Sequence, residues 1–300
     1  KAICEGNLYP DSNGYYLKHK LNEKFGYDVD CITLGAGSNE LINLLFQAFV
    51  NKNVNVVYPE YSFVVYPMEA TVGGAEGRAV ALKADYTADL DAILDTIDEN
   101  TRIVAFANPS NPIGTAVPSK DMYEFIKKVP KTTMVVIDEA YVDFGAESAV
   151  NLVNKYDNLL VVQTFSKSRS MAGARLGFAI GNEEIIGDLH KLRYSTNPYN
   201  VNRMTLAAGV ASLKDDDYNK ANCQKIIKTR ARVKEELEDL GFFVLDSKAN
   251  FLFAKCDKIG GEEYYLSLKS KGVLVRHFKN DKIKDYVRIT IGTKEQMDIL

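Results

Sequence analysis

The chain has no tryptophan, three histidines and four cysteines among its 300 residues. Each scarcity removes a class of function. Cys4, Cys31, Cys223 and Cys256 fall at no C-x-x-C spacing, which argues against a structural zinc site and against a disulfide framework. His19, His190 and His277 have no Asp, Glu or Cys neighbour at ligand spacing, so no metal is expected. An excess of one charge is missing too: 37 Lys and Arg stand against 40 Asp and Glu, for a net charge of −3. Such a chain has no basic stripe for a nucleic-acid backbone. Its basic clusters at 225–228 and 230–234 lie among acidic residues at helical spacing and read as a solvated helix face. No apolar run approaches the roughly 20 residues of a membrane span. The longest, around 41–50, is broken by Asn43 and Gln47. With no leader-like pattern at Lys1, the expectation is a cytoplasmic chain with neither nucleic acid nor membrane as partner. Reactive chemistry must then come from other side chains or from a borrowed cofactor.

What is present is alternation. Short apolar runs at 31–34, 55–58, 79–82, 102–107, 133–137, 159–163 and 176–180 read as strands, several of them continuous in Val and Ile. Strands buried on both faces look like this. Amphipathic stretches at 39–50, 89–97 and 119–129 read as helices, the last with Ser119 as N-cap between Pro118 and Pro130. The pattern predicts an α/β fold with a mostly parallel sheet flanked by helices. After about residue 200 the texture changes. A charged helix is expected at 216–240, with Ile226, Arg230, Val233, Leu237 and Leu240 on one stripe and Gly241 just past its end. Strands are expected at 242–245, 251–254, 273–275 and 286–291, and a helix at 262–271, which makes a smaller C-terminal α+β domain. The expected division is an N-terminal segment, 1–20, a large domain, 21–200, and a small domain, 201–300.

In an open parallel sheet, ligands sit beyond the carboxyl ends of the strands. Five strand ends carry polar residues in turn. They are Gly35-Ala36-Gly37-Ser38-Asn39-Glu40, Pro59-Glu60-Tyr61, Asn108-Pro109-Ser110-Asn111-Pro112-Ile113-Gly114, Asp138-Glu139-Ala140-Tyr141 and Thr164-Phe165-Ser166-Lys167. The first offers free backbone N–H groups and the positive end of a helix, which suit a phosphate. Ser166 and Arg175 supply a hydroxyl and a full charge to the same anion. Tyr61 offers a ring face for stacking. Asp138 follows an apolar run, so its burial is costly unless a cation pairs with it; a protonated pyridine nitrogen is one. Lys167, at the end of another apolar run, is placed to be a neutral amine nucleophile. Phosphate cup, ring, carboxylate and lysine are the requirements of pyridoxal 5′-phosphate held as a Schiff base.

Asn111-Pro112-x-Gly114, Asp138-x-x-Tyr141, and Ser166-Lys167 followed by Ala172-Gly173-Ala174-Arg175-Leu176-Gly177 resemble the fold-type I aminotransferases. Tyr9-Pro10-Asp11, Pro198-Tyr199-Asn200-Val201-Asn202, Ala249-Asn250-Phe251, Val275-Arg276 and Val287-Arg288-Ile289-Thr290-Ile291-Gly292 narrow the resemblance to the histidinol-phosphate aminotransferases. The resemblance covers essentially the whole chain. It implies transamination between histidinol phosphate and 2-oxoglutarate in histidine biosynthesis. Lys167 would carry the cofactor and move the proton at Cα. Asp138 would pair with the pyridine nitrogen, Tyr141 and Asn111 would bond the 3′-oxygen, and Tyr61 would stack on the ring. Gly37, Ser38, Asn39, Ser166 and Arg175 would hold the phosphate, with Thr164. Tyr9 would reach that phosphate from the other subunit of a homodimer. Arg276 and Arg288 would bind the substrate's anionic end, a phosphate in this family.

The resemblance also sets expectations about the ends and the cup. Family members usually carry an Asn-Glu-Asn-Pro-Tyr-Gly-like segment ahead of the point where this sequence starts, and the last helix is expected to run past Leu300. Asn39 stands where the family often has Asp, and it can still donate a hydrogen bond. Other readings stay open at this point. A threonine-phosphate decarboxylase or an aromatic aminotransferase would share every cofactor residue. A dinucleotide-binding dehydrogenase would use Gly35-x-Gly37 with Glu60, but Glu40 stands where its third glycine belongs. A DNA-binding relative would need a basic face, which the composition lacks.

Overall fold

The apolar runs pair into one seven-stranded sheet in a computed structural model of the protein, which describes residues 2–300. Its strands are β1 (Ile32–Gly35), β2 (Asn55–Pro59), β3 (Glu76–Val80), β4 (Thr101–Ala107), β5 (Met134–Asp138), β6 (Leu159–Thr164) and β7 (Gly177–Gly181), in the order β1-β7-β6-β5-β4-β2-β3. From β3 through β6 all neighbours are parallel, whereas β7 is antiparallel to both β6 and β1. β1 therefore runs with β6. The carboxyl ends of β1, β2, β4, β5 and β6, the five with polar motifs, share one edge, and β7 begins there.

Alternate residues of each strand enter different cores, because side chains in a strand point to opposite faces. Val57, Val104, Phe106, Val135, Ile137 and Val161 pack against the helices Tyr15–Phe25, Leu90–Thr96 and Ser119–Lys128. Val56, Ile103, Ala105, Val136, Leu160 and Val162 pack against Ser38–Phe49, Val65–Val72 and Glu183–Thr196. Helices on both faces of a mostly parallel sheet are the expected α/β architecture.

A second, antiparallel sheet is built from β8 (Phe243–Val244), β9 (Phe251–Lys255), β10 (Arg276–His277) and β11 (Tyr286–Thr290), in the order β10-β11-β9-β8. Val233 and Leu237 of the helix Asp216–Asp239 cover it, against Val244, Leu252, Val287 and Ile289. No helix among the described residues is long and apolar enough to cross a membrane.

The structure departs from the expectations at several elements. The third strand lies at Glu76–Val80 rather than 79–82, because an edge strand with mostly exposed side chains carries little apolar signal. Ser119 is the first helical residue and not the N-cap; Pro118 occupies that position, and the Glu147 carboxylate accepts the Ser119 N–H. Leu240 leaves the stripe: it is the C-cap, 70% exposed, with Gly241 turning the chain at φ 88°. No strand forms at 273–275; the two-residue β10 follows at Arg276–His277. The helices Tyr15–Phe25, Val65–Val72, Glu183–Thr196 and Arg203–Lys214 carry no expectation. The boundary expected at residue 200 precedes Arg203–Lys214, whose Gly209 lies against Leu17 and Leu176 of the large layer.

Candidate active site

The shared strand edge opens into a small cavity of about 150 Å³. Ser38 and Asn39 reach it from the end of β1, Asn111 from β4, Asp138 and Tyr141 from β5, and Thr164, Ser166 and Lys167 from β6. Arg175 enters just ahead of β7. Nine residues far apart in sequence thus line one space because the topology brings the ends of four strands and the start of β7 to one edge.

One end of this space is basic and backbone-rich. Ser38 begins a helix, and its first N–H groups have no intrahelical acceptor. The Arg175 guanidinium lies over Gly37, where a Cβ would come within 2.5 Å of Nη2. Gly177 is equally constrained, since a Cβ there would stand 2.5 Å from the Ser38 nitrogen. Arg175 itself holds a left-handed backbone at φ 54°, which a non-glycine residue adopts only where its surroundings fix it. Thr164 Oγ1 donates to Ser166 Oγ at 3.0 Å, so the two hydroxyls form a pair at the rim.

The other end is acidic and dry. Asp138 is 3% exposed. Its carboxylate accepts from the Ala140 N–H at 3.1 Å and from the Tyr66 hydroxyl at 3.3 Å. Burial pushes its pKa up to about 6 against the pull of those bonds and of the Lys167 charge. The Lys167 ammonium sits 5.4 Å from the centre of the Tyr141 ring. Burial lowers its pKa, and the Arg288 and Arg175 charges add to that against Asp138. A buried carboxylate with no salt-bridge partner among the described residues and a lysine biased toward the free amine are characteristic of a reaction centre.

A wider cavity of about 760 Å³ lies outside the first and shares Phe63 and Asn111 with it. Arg276 and Arg288 line its far side from the antiparallel sheet, where they are direct cross-strand partners on β10 and β11. Arg288 Nη1 donates to Asn111 Oδ1 at 2.5 Å, and the guanidinium lies 5.0 Å over the Phe251 ring. Its buried Nε has no hydrogen-bond partner among the described residues.

One residue expected in this chain's own cavity, Tyr61, lies elsewhere, and Tyr9, expected at the other subunit's site, lies on the surface. Tyr61 lines the outer cavity, not the inner one, and packs against the buried cluster of Ile113, Leu245, Phe253, Ile283 and Tyr286. Its φ of 53° turns the chain there, and Phe63 joins Tyr141 as an aromatic of the inner cavity. Tyr9 is 75% exposed, its ring stacked on Tyr199 at 4.4 Å, away from this chain's own cavity. Phe63 and Tyr66 went unread in the sequence. Two aromatics two residues apart signal a ring near the site without saying which one enters it, and Tyr66 resembled any core residue.

A family model for aminotransferase class I and II matches residues 2–300. The histidinol-phosphate aminotransferase of Brachyspira hyodysenteriae is 44% identical, over all of this chain and 85% of that protein. The chain belongs to the histidinol-phosphate aminotransferases of the class I and II family. It is an aminotransferase. The Syntrophus aciditrophicus member is 40% identical over 97% of this chain and 81% of its own length. The crystal structure of the Sinorhizobium meliloti enzyme in complex with pyridoxal-5′-phosphate matches with a TM-score of 0.91 and 26% identity, covering 99% of this chain and 82% of that one. The family and the geometry agree on a fold of the fold-type I aminotransferases.

Proposed function

We propose that the chain moves the amino group of L-histidinol phosphate to 2-oxoglutarate, giving imidazole-acetol phosphate and glutamate, as a step of histidine biosynthesis. The observation that carries the donor is the Arg276/Arg288 pair. Residues directly opposite in an antiparallel sheet share a face, and like charges there repel. A dianion between them removes that repulsion and gives the orphaned Arg288 Nε an acceptor. A phosphate ester at the end remote from the amino group supplies that dianion, and the carboxylates of 2-oxoglutarate suit the same arginines.

The cofactor is pyridoxal 5′-phosphate, which when bound supplies an electron sink for negative charge at the donor's Cα. The inner cavity fits it at both ends. Gly37 leaves Arg175 and the helix N–H groups open to a phosphate, and Asp138 lacks only a cation. In this reading Ser38, Asn39, Thr164, Ser166 and Arg175 hold the phosphate. Asp138 keeps a proton on the ring nitrogen. The carbonyl of Asn111 is engaged by Arg288, which leaves its amide N–H₂ to donate, with Tyr141, to the 3′-oxygen. Phe63, in place of Tyr61, covers the ring. Lys167 takes the proton from Cα of the donor and returns it one step later, a task that needs a neutral amine near working pH.

We further propose a homodimer in which Tyr9 completes the partner's site. Ile3, Leu8, Tyr9, Tyr16 and Met204 are all more than half exposed, an apolar surface suited to a second copy.

The test compares donors. Histidinol phosphate is expected to exceed phenylalanine in kcat/KM with 2-oxoglutarate as acceptor, and phosphothreonine to release no CO₂. A better phenylalanine rate would reassign the chain to aromatic donors, and CO₂ release would reassign it to decarboxylation.

A further inference from the structure

Glu40 stands where the dehydrogenase fingerprint would need glycine. It is the third residue of the helix Ser38–Phe49, a position from which an acidic side chain reaches back over the helix start. Its Oε2 accepts the Ala36 N–H at 2.6 Å. The same oxygen accepts from Asn200 Nδ2 at 2.5 Å, and that amide also donates to the Leu34 carbonyl at 3.3 Å. Within the turn, the Gly37 N–H is held by the Gly35 carbonyl at 2.8 Å. The donors between β1 and the helix are therefore sorted. Those of Ala36 and Gly37 are spent on fixing the turn, and the next two residues, Ser38 and Asn39, line the cavity at the helix start.

Asn200 belongs to a segment that is anchored in turn. Arg193 donates to the carbonyls of Pro198 and Ser12, and the Tyr199 ring stacks on Tyr9. Glu40 thus ties the rim of the inner cavity to the segment around residue 200 through two hydrogen bonds to one carboxylate oxygen.

We infer that Glu40, with Asn200 behind it, is a positioning residue for the phosphate cup: it fixes the Gly35–Ser38 turn so that the helix N–H groups meet the cofactor's phosphate. This rests on the reading of the inner cavity as a pyridoxal 5′-phosphate site. The carboxylate touches no reacting atom. As a negative charge beside a phosphate it works against the anion electrostatically, so its contribution is geometric, and a neutral acceptor of the same shape replaces it.

The experiment measures equilibrium binding of pyridoxal 5′-phosphate and of pyridoxal, the same aldehyde and ring without phosphate, to the cofactor-free chain by absorbance. Glu40→Ala is expected to weaken pyridoxal 5′-phosphate by about tenfold, the loss of hydrogen bonds to a charged group, and pyridoxal by less than about twofold. Glu40→Gln keeps the acceptor and is expected to restore binding to within about threefold of wild type. Should Glu40→Ala fail to fold, Asn200→Asp, which sets two carboxylates face to face, is expected to show the same phosphate-selective loss. Equal losses for both compounds, or no loss for either, would overturn the inference. So would a Glu40→Gln as weak as Glu40→Ala, which would make the charge and not the geometry the active element. A wild type that takes up neither compound would instead remove the cofactor reading on which the inference stands.

Discussion

The inner and outer cavities are built on different principles. Every wall of the inner one comes from the carboxyl edge of a single sheet, so its geometry is fixed by strand order and by packing on both faces of the strands. The outer one spans two sheets, with Tyr61 and Phe63 after β2 on one side and Arg276 and Arg288 on β10 and β11 on the other. Few polar contacts join the sides there: Arg288 to Asn111, and an exposed Lys282–Glu60 pair at 3.2 Å. An exposed pair of that kind contributes at most about 1 kcal/mol. In the proposed reading, then, the chemistry falls to the cavity held by a single sheet, and donor selection to the one that spans two.

The largest effect should separate the two outright. Lys167→Ala is expected to lower kcat by about 10⁴-fold, because it removes the proton carrier, while donor binding changes by less than about threefold. Borohydride should fix the cofactor onto the wild-type chain at Lys167, seen by mass on the peptide, and leave the variant unlabelled. Label on another lysine would break the division.

Next comes the outer cavity. Arg288→Leu is expected to cost about 100-fold in kcat/KM for histidinol phosphate, the scale of charge-assisted hydrogen bonds, with Arg276→Leu behind it. Phenylalanine, which has no phosphate, should lose far less. An equal loss for both donors would show that Arg288 acts on the cofactor through Asn111 rather than on the donor.

The third contrast is pH. Glu139 lies beside Asp138, 1% exposed, and accepts from Ser148, Ala149 and Gln163. Burial outweighs those bonds and pushes its pKa up to about 7. A carboxyl group that holds its proton more tightly folded than unfolded makes the folded state lose stability as pH rises between the two pKa values. The cofactor-free chain is therefore expected to lose about 2 kcal/mol through Glu139 between about pH 5.5 and 7.5, with a smaller contribution from Asp138. Glu139→Gln should flatten the slope in urea unfolding, whatever it does to absolute stability. A slope that survives the substitution would assign the effect to other groups.

Most of the inner cavity was legible in sequence because its residues follow apolar runs, with Arg175 just ahead of one, and the alternation with helices implied a mostly parallel sheet. Lys167, Asp138 and Arg175 could be read from that edge by residue type, whereas the role of Asn111 came from the resemblance. The outer cavity was legible only in its arginines. Which aromatic enters which cavity depends on one left-handed residue, Tyr61, and a positive φ at a tyrosine leaves no compositional trace. Glu40 and Asn200, 160 positions apart, meet only after β1 and the segment past Glu183–Thr196 are both in place. Edge strand β3 and the four unread helices escaped for a simpler reason: exposed or mixed surfaces weaken the periodic signal.

The assignment of Phe63 and Tyr61 to different cavities gives the smallest effect and the sharpest discrimination. Phe63 lines both spaces, whereas Tyr61 touches only the outer one. If Phe63 is the ring that covers the cofactor, Phe63→Leu keeps the bulk and loses the π-face, and pyridoxal 5′-phosphate binding should weaken by about threefold to tenfold. Tyr61→Leu should leave that binding unchanged and raise the KM for histidinol phosphate by a similar factor, through lost packing beside the donor. The reverse pattern, with Tyr61→Leu weakening the cofactor and Phe63→Leu silent, would mean that the turn at Tyr61 rearranges when the cofactor is in place. The original expectation for Tyr61 would then hold in the loaded enzyme, and the boundary between the inner cavity and the outer one would have to move to include residues 61–63.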